Sequence, residues 1–325
     1  MYGMKSRTIQ VILAVLLITT FASCQHKELC YDHAHGANVQ VVFDWSKAPD
    51  AAPETMSLYL FPKQGGEAMR YEFIDYRGGA IRIPIGEYEA LCLNSDTEHV
   101  SYRNTNSRQT FEVFGKPSTL LAGMTMMAVR SEVEGSAPRP MGTEDEQIMS
   151  APERMWSDHL EGIEIKEVDG QVLTLTPQLS TSQCSIQIIN VDNLKHVNSM
   201  SGVLTGTSGS FYPGLGSDVL GNGVATIPFS VTLWPDKNEV TGGLEFFGHC
   251  PASTVPHKLS IYAIMSDGNK YTYTFDVSDQ MHDAVDQRNI QIVLDGLPLP
   301  KPIYNGSGFQ PTVDDWNNTQ VDIEM

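Results

Sequence analysis

Short segments in which apolar and polar residues alternate recur along most of the chain. Met69, Tyr71 and Phe73, for example, alternate with Arg70 and Glu72. Alternation with a period of two, bounded by Gly, Pro and Asn, is typical of strands with one buried face. The pattern predicts β-strands at residues 39–43, 56–61, 69–74, 80–83, 88–93, 164–168, 171–176, 185–191, 225–234, 244–247, 258–265, 271–275 and 289–294.

The spacing of these segments predicts the fold class. Turn residues separate successive strands, as at Asp169-Gly170, a dipeptide that favours a tight hairpin. Many short strands with turn signals between them are typical of β-sandwiches rather than of alternating strand–helix units. The chain has 325 residues, which is more than one sandwich core usually holds. We therefore predict an all-β protein with two sandwich domains in tandem, at residues 39–178 and 179–325.

Few segments predict a helix. Residues 152–160 begin with Pro and Glu, which suit a helix N-terminus, and residues 279–287 are a second candidate. Neither segment is long enough to organise a fold. The glycine-rich stretch at residues 201–223 is interpreted as a long surface loop or a decorated hairpin.

The N-terminus has the pattern of an export signal. Lys5 and Arg7 precede an apolar run at residues 9–22, and the run ends in the letters FASC. A short apolar run with basic residues before it and small residues at its end is typical of a secretory signal, not of a membrane-spanning helix. The pattern predicts a signal peptide at residues 1–23.

Cys24 indicates a lipid anchor. A Cys directly after Ala-Ser at the end of such a run resembles a bacterial lipobox, in which the thiol is acylated. Each buried methylene of an acyl chain contributes about 0.8 kcal/mol, so more than one chain holds a protein firmly on a membrane. We predict lipidation at Cys24 followed by a linker at residues 24–38. The alternative is ordinary cleavage near Ala22, with Cys24 left as a thiol.

The net charge excludes one class of partner. The chain carries a formal net charge of −18 at neutral pH, and removing the predicted signal peptide with Lys5 and Arg7 gives −20. An acidic surface of this kind repels phosphate backbones. We therefore predict no nucleic-acid binding.

Four cysteines besides Cys24 are candidates for disulfides. They are Cys30, Cys92, Cys184 and Cys250, and their spacing matches no CxxC or zinc-finger motif. In an exported protein such cysteines favour disulfides over metal sites. Two fall in each half, so Cys30–Cys92 with Cys184–Cys250 is the simplest pairing. The alternative is that several are small buried apolar side chains.

The sequence contains none of the common catalytic signatures. GxSxG, P-loop, HExxH and GxGxxG motifs are absent. His33 and His35 form an HxH pair, but two ligands do not make a metal site, and we interpret the pair as structural. We predict that the protein is not an enzyme and has no metal, no cofactor and no small-molecule substrate.

Three tryptophans leave a binding role open. Trp156, Trp234 and Trp316 are the visible candidates for a surface on which sugars stack. Each lies beside strand-like sequence, which favours a packing role. The alternative function is a surface lipoprotein that binds glycans or host ligands through sandwich loops.

Several segments together resemble one known family. Cys24 is followed by HKELCYDHAH, then VVFDW, MSLYLFP and IRIPIGEYEALCLN, later LTLTPQLSTSQCSIQIINVDNLKHV, and finally GFQPTVDDW. Their order resembles the FimB-like fimbrial anchor lipoproteins of Bacteroidales bacteria, a group with many members of unknown function. The resemblance covers essentially the whole chain.

The resemblance implies two transthyretin-like β-sandwiches and a fimbrial anchor or accessory subunit. It implies a protein lipid-anchored to the outer membrane at the cell surface, with a fimbrial stalk subunit as partner. In such fibres a strand of one subunit completes an open sheet of another. Residues 39–43 are then the first strand, which is retained, and residues 319–325 are a tail strand offered to a neighbour. The alternative is that the tail closes its own second domain.

Overall fold

β-strands make up most of the structure. The computed structural model describes residues 36–124, 137–251, 256–303 and 316–320. The strands from the first half of the chain are β1 (Gly36–Phe43), β2 (Met56–Pro62), β3 (Met69–Phe73), β4 (Gly78–Pro84), β5 (Gly86–Asn94), β6 (Val100–Arg103), β7 (Glu112–Gly115), β8 (Gln147–Ile148), β9 (Trp156–Ile165), β10 (Gln171–Leu175) and β11 (Gln178–Leu179).

The second half continues with strands and little helix. Its strands are β12 (Ser182–Val191), β13 (Val197–Ser208), β14 (Ser210–Phe211), β15 (Val224–Trp234), β16 (Glu239–Phe246), β17 (Lys258–Met265), β18 (Lys270–Asp276), β19 (Asn289–Leu297) and β20 (Trp316–Gln320). The helical elements of the described residues are 3-10 helices at Trp45–Lys47, Arg108–Thr110, Leu194–His196 and Pro235–Lys237, and a short α-helix at Ser278–His282. Within this part of the chain, no helix is long and apolar enough to cross a membrane.

The predicted all-β fold is confirmed. β1 shows how the alternating pattern produces it, because Val39, Val41 and Phe43 point to one side and are buried. Gln40, between them, is exposed on the other side. A strand with this pattern gains free energy by burying its apolar side chains against a second sheet.

Two sheets enclose the core of the first half. One has the strand order β10-β1-β4 and the other β11-β9-β5-β2-β3. β1 pairs in parallel with β10 and antiparallel with β4, so it is the middle strand of its sheet. Side chains from both sheets, among them Val41, Leu58, Ile83 and Leu175, form one buried cluster. The arrangement is a β-sandwich.

The strand β15 takes part in two ladders of the second half. Its first part pairs with β13 and its last part pairs with β16. The resulting strand order is β19-β12-β16-β15-β13-β17-β18-β20. Buried side chains from both parts, among them Ile186, Phe229, Val240 and Ile261, share one core. The second half therefore folds around a core of its own.

A third apolar cluster joins the two halves. β6 and β7 of the first half form a small sheet with β14 of the second half. Phe211 and Phe247 from the second half pack with Tyr59, Leu91 and Phe111 from the first half. The two halves therefore share a buried apolar interface.

The chain between β7 and β9 packs on the second half. β8 pairs in parallel with β15, although it lies within the range 39–178 assigned to the first sandwich. Leu120 and Leu121 pack with Val203 and Tyr262 of the second half. The predicted boundary after residue 178 falls within the two-residue strand β11, and the domain limits stay a prediction.

One of the two predicted helices is absent. Residues 152–160 contain no helix, because from Trp156 onward the chain forms β9 between β5 and β11. Of the two interpretations of residues 201–223, the surface loop is wrong and the decorated hairpin is confirmed. Residues 201–208 are the buried second part of β13, which pairs antiparallel with β15, and β14 lies in the connection between them. The helix predicted at residues 279–287 is shorter and lies at Ser278–His282.

Candidate functional site: the β18–β20 edge of the second sandwich

The predicted first strand is held on both sides. Val39 lies opposite Gln171 of β10 and Ile81 of β4, and the pairing continues along β1 in both directions. Its inward side chains are in the core of the first sandwich. Release of β1 would break two ladders and expose that core, so β1 is an integral strand.

The C-terminal strand is held on one side. β20 pairs with β18 in parallel over five positions, from Lys270 opposite Trp316 to Thr274 opposite Gln320. It is the last strand at its edge of the sheet. The predicted tail strand began at residue 319, whereas the described strand begins at Trp316 and residues 321–325 lie outside the described residues.

Trp316 supplies the main apolar contact described for β20. Its ring lies edge-on to Tyr262, with the ring centroids 5.4 Å apart and the planes at 85°. Tyr262 is buried and its hydroxyl donates to the Pro138 carbonyl at 2.6 Å. The indole Nε1 of Trp316 is buried without a hydrogen-bond partner among the described residues. An unpaired buried donor costs about 1–3 kcal/mol, which weakens the attachment of β20 to its own sheet.

The turn before β18 holds the chain near the start of the tail. The Asp267 carboxylate accepts a hydrogen bond from the Ile303 backbone at 2.9 Å and two from Asn269. Burial alone would raise the pKa of Asp267, but these hydrogen bonds outweigh it and lower the pKa below its usual value. A charged Asp267 therefore holds residue 303 next to the beginning of β18.

The opposite edge of the same sheet is closed. β19 is its outermost strand, and the side-chain amide of Gln280 bonds to the outward backbone of Val293. The Val293 N–H donates to Gln280 Oε1 at 2.8 Å, and Gln280 Nε2 donates to the Val293 carbonyl at 3.1 Å. The amide thus occupies positions that a further strand would need. At the β18–β20 edge, β20 is paired with β18 alone in the part of the chain that the structure describes.

The predicted disulfide between Cys184 and Cys250 is absent. Both residues are buried free thiols. Cys184 lies in the core of the second sandwich, where burial raises its pKa to about 12. Cys250 follows β16, and its Sγ lies 3.5 Å from the Asn222 carbonyl oxygen. The two cysteines have different neighbours and behave as small buried apolar side chains.

The remaining predicted cysteine sites depend on the N-terminus. Cys24 and Cys30 lie outside the described residues, so lipidation at Cys24 and the Cys30–Cys92 pair stay predictions. Cys92 is a buried free thiol in the core of the first sandwich, where burial raises its pKa well above the usual value.

The three tryptophans do not form a common surface. Trp156 lies edge-on to Trp45 at 6.2 Å, and Trp316 lies against Tyr262. Trp234 is 44% exposed and carries Lys237 over its ring at 5.1 Å. A platform for stacking sugars requires exposed rings side by side, and these rings are in different parts of the fold.

Sequence reasoning missed a group of histidines in the second half. His249, His257 and His282 lie on different elements and converge in the structure. Their spacing matches no metal-binding motif, and strands β17 and β18 separate His257 from His282. Only the fold brings them together.

Comparison with known families gives the affiliation of the chain. A family model described as a domain of unknown function, DUF5119, matches residues 23–230. The chain belongs to the DUF5119 family. This match covers the first half and the second half up to residue 230, within β15, so it includes the small sheet of β6, β7 and β14 but not Phe247 of the shared interface.

A relative of this DUF5119 protein is found in Bacteroides ovatus. A Bacteroides ovatus protein that carries the name fimbrium anchoring subunit Fim4B is 22% identical over 251 residues, which are 77% of this chain and 67% of the relative. The resemblance to fimbrial anchor proteins, expected from the order of the motifs, is confirmed.

Solved structures share the fold of this DUF5119 protein. A Bacteroides ovatus structure described as an adhesin has a TM-score of 0.55 and 19% identity, covering 83% of this chain and 95% of its own. A Bacteroides thetaiotaomicron structure described as a polysaccharide binding protein has a TM-score of 0.51 and 9% identity. The match covers 80% of this chain and 90% of that structure. At these identities the similarity establishes the fold.

Proposed function

We propose that this DUF5119 protein is a structural protein of the cell surface that anchors a fimbrium. The proposal draws on its similarity to a relative named as a fimbrium anchoring subunit. It also draws on a fold in which strands and sheet edges, rather than a catalytic site, are the prominent features. A fimbrial stalk subunit is the partner it would hold.

The observation that carries the proposal is the contrast between β1 and β20. β1 is bound by neighbours on both sides, whereas β20 lies at the edge with a single neighbour and an unpaired indole N–H. A subunit that keeps its first strand needs no donor strand to complete its first sandwich. A subunit whose last strand can leave its own sheet can offer that strand to a neighbour.

In the proposed mechanism β20 exchanges partners. In the free protein β20 covers the edge of β18 and so protects the chain from pairing with the wrong strand. When a stalk subunit presents an open edge, β20 leaves β18 and pairs with the subunit. Main-chain hydrogen bonds then provide the affinity, and alternate side chains of the strand provide the specificity.

The membrane end of the proposed anchor is Cys24. Lipidation there would tether the two sandwiches through residues 24–38 to the outer membrane. Mass spectrometry of the mature protein tests this point, and we expect an acylated residue 24 as the new N-terminus. An unmodified residue 24 would remove the lipid tether from the proposal, as would retention on membranes by a Cys24→Ser variant.

The fimbrial role is tested in a strain that lacks the protein. We expect fibres that are released into the medium, and complementation by the full chain should return them to the cells. Complementation with a chain that ends at residue 303 and so lacks β20 should leave the fibres in the medium. A deletion strain with normal fibre attachment would show that the protein does not anchor a fimbrium.

A further inference from the structure

Three histidine rings meet beside the second sandwich. His249 follows β16, His257 immediately precedes β17, and His282 is the last residue of the short α-helix. One ring nitrogen from each lies within 4.8 Å of those from the other two. The ring centroids are between 4.9 and 5.3 Å apart. Three imidazoles at this separation can direct their nitrogens to one point.

Gln287 determines which nitrogen of His249 carries the proton. Its Nε2 donates to the carbonyls of Met281, His282 and Ala284 at 3.0–3.3 Å, and this fixes the orientation of the amide. The amide Oε1 therefore faces His249 Nε2 at 2.7 Å and accepts its proton. In the neutral ring, Nδ1 of His249 is then an unprotonated nitrogen with a free lone pair.

Thr205 does the same for His257. Its backbone carbonyl lies 2.9 Å from His257 Nδ1, which must donate to it. In the neutral ring Nε2 of His257 is then unprotonated. Gly206 leaves room for this arrangement, because a Cβ there would lie 2.7 Å from His257 Nδ1 and the residue has a φ of +76°.

These two assignments bring two lone pairs together. His249 Nδ1 and His257 Nε2 lie 3.1 Å apart and face each other. Two acceptors at this distance repel unless a cation lies between them. A metal ion placed between the two nitrogens would remove this repulsion.

We propose that His249, His257 and His282 bind one divalent transition-metal ion of the Zn²⁺ type. Two nitrogens bound tetrahedrally at about 2.0–2.1 Å from zinc are about 3.3 Å apart, close to the 3.1 Å between His249 and His257. His282 is exposed, so its ring can turn toward the ion at little cost. Three histidines leave the fourth position open to solvent.

The surroundings are those of a metal site with outer-shell support. Histidine ligands of metals usually donate their second nitrogen to a carbonyl or carboxylate, which fixes the tautomer. His249 and His257 both do so, to Gln287 and Thr205. The ion would connect the end of β16, the start of β17 and the helix before β19. This site is independent of the proposed fimbrial role.

The test is calorimetric titration of the mature protein with Zn²⁺. We expect one equivalent bound at this site, with affinity lost by at least about tenfold in His257→Gln and in His282→Gln. His282→Gln changes an exposed side chain, so the result does not depend on a variant that might misfold. His196→Gln is the matched control, because His196 lies beside the far end of β17, where its carbonyl accepts from the Ser266 N–H. This variant should bind Zn²⁺ as the wild type does.

A positioning residue and a spectrum provide further readouts. Gln287→Leu keeps all three ligands but removes the acceptor for His249, and we expect affinity to fall about 10- to 100-fold. With Co²⁺ in place of Zn²⁺, the wild type should show the visible absorption of a tetrahedral nitrogen-ligated ion, and His282→Gln should lose it. Equal Zn²⁺ binding by the wild type and His282→Gln would overturn the proposal, as would no binding at all.

Discussion

Arg108 joins the two halves of the molecule through its guanidinium group. The side chain is buried, donates to the Gly214 carbonyl, and pairs with Glu89 at 3.3 Å and Glu161 at 3.2 Å. Burial of an arginine is tolerated when its charge finds partners, and here the two terminal nitrogens do so, whereas Nε is buried without a hydrogen-bond partner among the described residues. Arg108 lies in the first half and Gly214 in the second, so this one residue bridges both.

Replacement of Arg108 should destabilise the protein more than replacement of a surface cation. We expect Arg108→Met to lower the free energy of unfolding by about 2–3 kcal/mol, at the upper end for hydrogen bonds to charged groups. Breaking a fully buried pair costs about 3–5 kcal/mol, but Glu161 is largely exposed. Lys166→Met, which breaks an exposed pair with Glu164, should cost at most about 1 kcal/mol. Denaturant titration measures the free energy of unfolding of both variants. Equal losses in the two would show that Arg108 stabilises the protein no more than a surface cation does.

Glu112 should make stability dependent on pH. Burial tends to raise the pKa of this carboxyl, but hydrogen bonds from Arg103, Ser210 and Tyr212 outweigh burial and hold the pKa below 4.5. Because the folded pKa is below the unfolded one, the stabilisation is full above the unfolded pKa and is lost as pH falls through the folded pKa. As the pH is lowered, we expect the melting temperature of Glu112→Gln to fall less steeply than that of the wild type. If the melting temperatures of Glu112→Gln and the wild type fell in parallel with pH, the assignment to Glu112 would be contradicted. Glu164→Gln, which changes an exposed carboxylate, is the control and should follow the wild type.

At the level of elements, Gln280 should protect the outer edge of β19. Gln280→Ala removes both side-chain hydrogen bonds to the Val293 backbone, and we expect it to lower stability by about 1 kcal/mol. It should also increase self-association, because an uncovered strand edge invites pairing. Analytical ultracentrifugation measures this effect. Gln291→Ala changes an exposed side chain of the same strand and should associate no more than the wild type does. Identical behaviour of the two variants would show that Gln280 does not protect the edge.

Most strands were predictable because alternation records which side of a sheet is buried. The glycine-rich stretch left a surface loop and a decorated hairpin open, because Gly is common both in loops and in strands where another group approaches closely. In β13, a Cβ on Gly202 would lie 2.3 Å from the ring of Phe229. This glycine is required by packing against Phe229, and sequence alone does not show the ring.

The candidate sites were predictable to different degrees. The alternating residues of the tail predicted an edge strand at residues 319–325, of which the described part of β20 contains only 319 and 320. Its beginning at Trp316, whose ring contacts Tyr262, was not predicted. The helix predicted from Pro152 is instead β9, since pairing with β5 and β11 outweighs a local preference for helix. The histidine cluster was not predictable, because its members come together only when β16, β17 and the short helix are in place.

At the scale of the whole molecule, the two halves should unfold together. Phe211 and Phe247 have ring centroids 5.2 Å apart and pack against the first half. Truncation of a buried Phe to Ala costs about 3–5 kcal/mol of stability. Because Phe211 lies in the interface between the two halves, its truncation should weaken their coupling. Calorimetry should show one transition for the wild type and two for Phe211→Ala. Phe211→Leu, which retains most of the apolar volume, should keep a single transition; two transitions in the wild type would contradict the coupling.

Anchoring by the proposed mechanism requires that β1 stays in its sheet and β20 leaves its own. Paired cysteines can lock either strand, because the Cα atoms of neighbouring strands lie within the range of a disulfide. Tyr271 and Asn317 are partners across β18 and β20. Gln40 and Val172 are partners across β1 and β10, which are also parallel neighbours. The two double variants are therefore a matched pair.

The decisive measurement is the fraction of fimbriae retained on cells that carry each lock, with disulfide formation verified by mass spectrometry. We predict that the Tyr271→Cys/Asn317→Cys variant releases its fibres into the medium and regains them when reductant is present during assembly. The Gln40→Cys/Val172→Cys variant should retain fibres as the wild type does. Full retention by the Tyr271→Cys/Asn317→Cys variant, with β20 held in its own sheet, would contradict the proposed exchange.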